Sequence, residues 1–188
     1  MPLNVLLLGP QGAGKGTQAK RVSEEYGIPH IASGEILRAE MDAGTELGKR
    51  VKETIERGDL VSDDLMIELI RNRLEQPDTE AGFVLDGFPR TIVQAEALDS
   101  MFADIGRSFS VAFALQIPDE VAFDRLRRRA RADDTDEAIQ RRLDNYHRET
   151  EPLIEFYRTR GNVVPIHANR SENEVFAEIS RALEQVPA

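Results

Sequence analysis

Gly9-Pro10-Gln11-Gly12-Ala13-Gly14-Lys15-Gly16-Thr17 follows directly on the apolar run Leu3-Asn4-Val5-Leu6-Leu7-Leu8. A short buried strand that runs into a glycine-rich turn, then Lys and Thr, builds a cradle for a polyphosphate. The glycines let the backbone curl so that successive N–H groups point inward, and the helix expected from Lys15 adds the positive end of its dipole. In such a loop the lysine reaches the outer phosphates. The strict pattern has Ser or Thr directly after the lysine; here Gly16 stands there and the hydroxyl follows at Thr17. Four glycines in eight residues weaken local structure, so a turn without a ligand is the poorer reading.

Outward from this loop, short β-type apolar runs alternate with longer helical periodicities. That alternation predicts one α/β domain built on a parallel sheet with crossover helices. Strands are expected at Leu3–Leu8, Pro29–Ile31, Phe83–Asp86, Ser110–Gln116 and Val163–Ile166. Helices are expected over Lys15–Tyr26, Glu35–Asp42, Glu46–Arg57, Asp63–Glu75, Ile92–Phe102, Pro118–Arg128, Asp136–Thr159 and Glu172–Gln185. Ser62-Asp63-Asp64 and Ser171-Glu172-Asn173-Glu174 read as helix starts, each with a capping residue and acids in the first turn. Pro152 should open a new helical segment or kink a long one. Two stretches break the rhythm: two or three helices rather than one between the second strand and Phe83, punctuated by Gly44, Gly48 and Gly58, and the polar segment Ala130–Thr135. Both are expected at the carboxyl edge of the sheet, where ligands bind in such folds, and glycine joints suit movable flaps.

The 188 residues suffice for one domain with its own core. No apolar run approaches the ~18 residues of a membrane span, and the N-terminal run reads as a core strand rather than a signal peptide, so a cytoplasmic location is expected. The absence of cysteine excludes disulfides, thiolate catalysis and cysteine zinc sites. His30, His147 and His167 lie far apart and read as packing or surface residues rather than metal ligands. A net charge of −10 argues against nucleic acid and acidic membranes as partners. The basic residues are nevertheless mostly arginine, which grips phosphate bidentately. Arg125, Arg127, Arg128, Arg129 and Arg131 fill five of seven consecutive positions.

Three further groups carry chemistry. Ser33, after the second strand, can bond a base or a phosphate, with a plain helix cap as the equal alternative, and Arg38 lies one helical turn beyond Gly34. The run Leu85-Asp86-Gly87-Phe88-Pro89-Arg90-Thr91, continuing to Gln94, ends a strand in a carboxylate suited to hold waters around Mg²⁺. Gly87 and Pro89 fix a loop that aims Arg90 across the strand ends, and the Gln94 amide suits a purine edge because it both donates and accepts. In the arginine run, Arg127 and Arg128 read as solvated. Arg125, Arg129 and Arg131, with Arg142 further on, read as an anion site. Asp133 and Asp134 can pair with them when no ligand is bound, yet mutual repulsion of these arginines is expected to keep the segment open until a polyphosphate arrives. No Ser-His-Asp or Cys-His arrangement is present. Phosphoryl transfer between nucleotides needs none, because an acceptor phosphate is already ionised near neutral pH and positioning with charge neutralisation suffices.

Five stretches together resemble the adenylate kinases: Gly-Ala-Gly-Lys-Gly-Thr-Gln (12–18), Ser-Gly-Glu-Ile-Leu-Arg (33–38), Gly-Phe-Val-Leu-Asp-Gly-Phe-Pro-Arg-Thr (82–91), Arg-Ala-Asp-Asp (131–134) and Tyr-His-Arg-Glu-Thr-Glu-Pro-Leu (146–153). The resemblance covers nearly the whole chain. It implies a P-loop fold with a five-stranded parallel sheet flanked by helices, a helical flap for the nucleoside monophosphate over 32–61 and a short lid over 125–136. It implies the reaction of ATP with AMP to give two ADP with Mg²⁺, in a monomer. By that resemblance Gly12, Ala13, Gly14, Lys15, Gly16 and Thr17 hold the ATP phosphates, Arg125 and Arg129 contact ATP, and the backbone near Arg170 touches its adenine. Ser33, Arg38, Asp59, Leu60, Val61, Gly87, Phe88, Pro89, Arg90 and Gln94 match AMP-site positions. Arg131 and Arg142 match arginines on the transferring or acceptor phosphate, and with Lys15 and Arg90 they form the catalytic set. Asp86 is matched to the waters around the magnesium ion.

Some positions depart from the family pattern. Ser33 replaces the usual Thr, removing a methyl worth about 0.8 kcal/mol at most; Glu35 replaces Asp, and Pro10-Gln11 alters the loop. The lid has no room for an extra hairpin or its zinc cysteines, so structural zinc is excluded. A kinase for UMP or CMP is the nearest rival, but Ser33 and Thr91-Ile92-Val93-Gln94 favour AMP. A GTP-dependent switch would need an Asn-Lys-x-Asp guanine reader, and the chain has no Asn-Lys pair. An inert homologue is disfavoured because Lys15, Arg38, Arg90, Arg131 and Arg142 are all present.

Overall fold

A computed structural model describes residues 2–161 and 163–186. Five parallel strands form the sheet, in the order β2-β3-β1-β4-β5. They are β1 Leu3–Leu8, β2 His30–Ala32, β3 Gly82–Asp86, β4 Val111–Gln116 and β5 Val163–His167. Parallel strands need crossover connections and must be covered on both faces, which is why their apolar residues run without alternation. In β1, Leu6 and Leu8 join Phe83 and Leu85 in a core packed by α4 (Asp63–Leu74), α5 (Ile92–Asp104) and α8 (Pro152–Arg158). The alternate residues Val5 and Leu7 join Val84, Val111 and Phe113 in a second core packed by α1 (Lys15–Tyr26) and α9 (Glu172–Leu183). The edge strand β5 pairs with β4 and tolerates Pro165, whose missing N–H would interrupt a ladder in a central strand.

The expected α/β fold is therefore observed. Its two irregular stretches are also present: α2 (Ser33–Asp42) and α3 (Glu46–Arg57) fill the passage from β2 to α4, and α6 (Asp119–Arg129) and α7 (Asp136–Asn145) flank the polar segment. The order of the strands reverses about β1, whose neighbours β3 and β4 lead away in opposite directions. The carboxyl end of β1 thus opens on the crevice where such sheets bind ligands. Among the described residues no helix is long and apolar enough to cross a membrane.

Local differences have physical reasons. The expected helix over 136–159 is divided. α7 ends at Asn145, a π-helical turn covers Tyr146–Thr150, and α8 opens at Pro152, which has no N–H to continue the ladder. The π turn is a single turn of five residues between two α-helices, too short for a periodicity of its own to show in the sequence. A 3₁₀ turn at Pro77–Thr79 precedes β3. Ser171 makes the full capping box with Glu174, whereas Ser62 occupies a cap position without a side-chain bond. Ser33 is not a cap: it is the first helical residue of α2, and Ala32 precedes it as the cap.

Candidate active site

A cleft of about 560 Å³ lies over the carboxyl ends of β1 and β3, walled by the phosphate loop, α2, the end of α3, the loop after β3, α6 and α7. Lys15, Arg38, Arg90, Arg125, Arg129, Arg131 and Arg142 all line it, with Asp86 and Asp133 as its acids among others. With Lys20, which also lines it, an acidic protein has thus collected eight cations in one cavity. Gly12, Gly14, Gly16, Thr17, Ser33, Asp59, Leu60, Val61, Gly87, Pro89 and Gln94 also line it.

The loop between β1 and α1 turns on left-handed glycines, with φ of +85° at Gly12 and +89° at Gly14. A Cβ at Gly12 would lie 2.8 Å from the Ala122 carbonyl oxygen, so the loop packs on α6 with no room for a side chain. Lys15 Nζ donates to the carbonyls of Gly9 at 2.8 Å and Pro10 at 2.9 Å. Burial, opposed by Asp86 and aided by Arg90 and Arg129, pulls its pKa down from 10.5 to about 8. An arriving polyphosphate supplies the missing counter-charge and must raise that value. Binding of ATP should therefore take up a proton between about pH 8 and 10.5 and none from this group at pH 6.5. Calorimetry in buffers of different ionisation heat reads the uptake at pH 8.5, and it should vanish in Lys15→Met.

Asp86 ends β3 with its Oδ2 3.6 Å from where a Cβ of Gly16 would stand, and 3.6 Å from His30 Nε2. Burial opposes its charge, but His30 and Lys15 outweigh that and hold the carboxyl below its usual range. The next residues are pinned tightly. Arg90 Nε donates to the Gly87 carbonyl at 2.7 Å, Arg90 N to Gln94 Oε1 at 2.8 Å, and the Thr150 hydroxyl to the Arg90 carbonyl at 2.9 Å. The Phe88–Pro89 peptide is cis. Gly87 has φ +81°, and a Cβ there would meet Ser33 Oγ at 2.6 Å. Ser33 Oγ is buried without a protein partner, so this hydroxyl is free for a ligand.

The arginine segment corrects the expectation of mutual repulsion. Arg125 donates to the carbonyls of Gly12 at 3.3 Å and Ala168 at 3.2 Å. Arg129 grips Asp134 with two bonds, 2.9 and 2.7 Å, and Arg142 binds Asp134 at 2.7 Å, Asp133, and the Ile55 carbonyl at 3.3 Å. Carboxylates and backbone oxygens thus neutralise these guanidinium groups without a nucleotide. Arg131 lines the cleft together with Arg38 of α2; burial first, then the Arg131 charge, lower the pKa of Arg38, and Asp133 opposes them.

Three sequence-derived positions do not line the cleft. Ala13 and Phe88 face the core, at 3% and 1% exposure, and can contribute only backbone atoms. The Arg170 guanidinium turns away to Glu178 and the His167 carbonyl, leaving only the backbone beside it for adenine. Other residues in or around the site were not singled out as site residues from sequence. Tyr146 and Thr150 reach the cleft because the π turn re-aims them, and Thr150 lies within the quoted 146–153 stretch. Asp63 holds Thr91 and Gln94 from about thirty residues away, a contact that helix-start chemistry alone does not signal.

Comparison with known proteins identifies the family. A family model described as adenylate kinase matches residues 7–162. An adenylate kinase from Methanosarcina barkeri is 40% identical over 213 aligned positions, covering 97% of this chain and 99% of that protein. Adenylate kinases from Phocaeicola vulgatus and Stenotrophomonas maltophilia are each 43% identical, over 188 and 185 positions. They cover 98% and 96% of this chain and 100% and 99% of their own length. The first alignment is longer than the 188 residues here, so the Methanosarcina protein carries inserted residues that this chain lacks. By both the family model and these near-full-length relatives, the chain belongs to the adenylate kinase family.

Proposed function

We propose that this cleft transfers the terminal phosphoryl group of ATP to AMP, giving two ADP, with the phosphate loop and Arg125 and Arg129 on the donor side and Ser33, Arg38, Arg90 and Gln94 on the acceptor side. The observation that carries this reading is the placement of Lys15, Lys20 and six arginines around one phosphate loop, with no base–nucleophile pair among the cleft residues. Such a site works by alignment and charge neutralisation. The acceptor is an ionised phosphate oxygen; it needs no deprotonation, only a shield from its like-charged partner. Lys15, Arg90, Arg131 and Arg142 supply that shield and hold donor and acceptor in line. Formation of ADP from ATP with AMP, GMP, CMP or UMP tests the assignment: AMP should be the preferred acceptor, and preference for a pyrimidine would favour the UMP/CMP reading.

The magnesium ion that accompanies ATP in this family fits the residues present. Asp86 is an all-oxygen donor kept ionised at the rim of the phosphate loop, and it would hold the ion's waters while the nucleotide phosphates bind the ion directly. When bound, the ion spreads the negative charge of the reacting phosphates. Residues 32–61 and 125–136 act as flap and lid, closing over the substrates and excluding water that would otherwise hydrolyse ATP. Membership of this family supports the reading of a cytoplasmic monomer.

The acceptor assignment has its own test. Arg38 and Arg90 each offer a charge-assisted bond to the monophosphate, and losing one costs about 1.5–3 kcal/mol. Arg38→Ala and Arg90→Ala should raise KM for AMP some ten- to hundredfold with a much smaller change for ATP. A loss falling mainly on ATP would reverse the two sides of the cleft.

A further inference from the structure

Gln94 is 1% exposed and reaches the cleft from the first turn of α5. Its side-chain amide is held at both ends by groups whose roles cannot be exchanged. The Arg90 backbone N–H donates to Gln94 Oε1 at 2.8 Å, and Gln94 Nε2 donates to Asp63 Oδ1 at 2.8 Å. The same Asp63 oxygen accepts from the Thr91 hydroxyl at 2.9 Å, and Thr91 Oγ1 in turn accepts from the Gln94 backbone N–H at 3.2 Å. A backbone N–H only donates and a carboxylate only accepts. Turning the amide over would set its oxygen against the carboxylate and its NH₂ against an N–H. The two ends of an amide are nearly equal in size, so shape alone could not fix this choice. Asp63 fixes it.

The amide keeps one N–H and one oxygen lone pair, in a defined order. The matching base edge has an acceptor at N1 and a donor at the 6-position, as in a 6-aminopurine. A 6-oxopurine presents the reverse, N1–H and O6, and would leave buried polar groups unpaired, which is how such sites reject a near-isostere. We infer that Asp63 is a positioning residue for base selectivity, locking Gln94 so that the acceptor site takes a 6-aminopurine monophosphate and refuses a 6-oxopurine. This rests on the reading of Gln94 as a contact to the acceptor base.

The test measures kcat/KM for AMP and for inosine monophosphate, with ATP as donor. Asp63→Ala should narrow the AMP-to-IMP preference about tenfold or more while KM for ATP stays within about twofold. Asp64 is the neighbouring acid in the same first turn and is exposed. Asp64→Ala removes a similar charge from the helix start and should leave the preference unchanged. In a Gln94→Ala background, adding Asp63→Ala should shift the preference by less than about twofold, because the effect runs through Gln94. If Asp63→Ala does not fold, Asp63→Asn, which can donate as well as accept, should narrow the preference at least about threefold. An unchanged preference in a folded Asp63 variant, or an equal narrowing by Asp64→Ala, overturns the inference and leaves Asp63 as a helix start. If Gln94→Ala itself leaves AMP kinetics untouched, the placement of the base at Gln94 has failed, and the inference falls with it.

Discussion

Lys15→Met is expected to lower kcat by about 10³-fold or more, the scale of removing a cation that stabilises the transferring phosphoryl group. The fold should not suffer. In the free protein the ammonium is buried against the Gly9 and Pro10 carbonyls with its pKa pulled down to about 8, so carrying charge there costs stability. Methionine has a similar length, no charge to desolvate, and fills the same space. Far-UV circular dichroism and Tm should therefore match or exceed the wild type while turnover collapses, with KM for ATP changing much less than kcat. A variant that keeps more than a tenth of the activity would remove Lys15 from the catalytic set.

The contrast between Lys15 and Asp63 shows what a sequence of this kind reveals. Local chemistry is legible: the strand, the glycine spacing and the lysine lie within fifteen residues, and their order alone implies a phosphate cradle. The strands were legible for a similar reason, since a sheet covered on both faces leaves short continuous apolar runs. Contacts between distant segments were not. Thr150 reaches the Arg90 carbonyl across 60 positions, and Arg142 reaches the Ile55 carbonyl across 87. Periodicity says nothing about either. The π turn that aims Thr150 was hidden because a single turn is too short to show a periodicity of its own. The arginine run shows a subtler limit. Counting charges predicts repulsion, but it omits neutral acceptors, and the Gly12 and Ala168 carbonyls are the partners that hold Arg125. Asp133 and Asp134 were legible as possible partners because they lie beside the arginines they neutralise. Which arginine takes which carboxylate follows only from the fold.

That pairing makes Arg142 the second position of large effect, and there stability and activity should separate. Its side chain is 9% exposed, and the guanidinium binds Asp134, Asp133 and the Ile55 carbonyl at once, joining α7 to the polar segment and to the end of α3. Arg142→Ala strands Asp133, while Asp134 keeps Arg129. Breaking a buried pair on one side costs about 3–5 kcal/mol, and the surviving partner favours the lower figure. At roughly 2–4 °C per kcal/mol for a domain of this size, Tm should fall by about 6–12 °C. Turnover should fall by about 10²–10³, because the transferring phosphate loses a cation that a carboxylate only borrows in the free protein. The double variant Arg142→Ala with Asp133→Asn distinguishes the two effects. Neutralising the stranded carboxylate should recover most of the lost Tm and none of the lost turnover. A bisubstrate ligand joining two adenosines through five phosphates should bind the wild type far more tightly than ATP or AMP, and this double variant much less so. Recovery of turnover together with Tm would reduce Arg142 to a structural clasp between α3 and the lid.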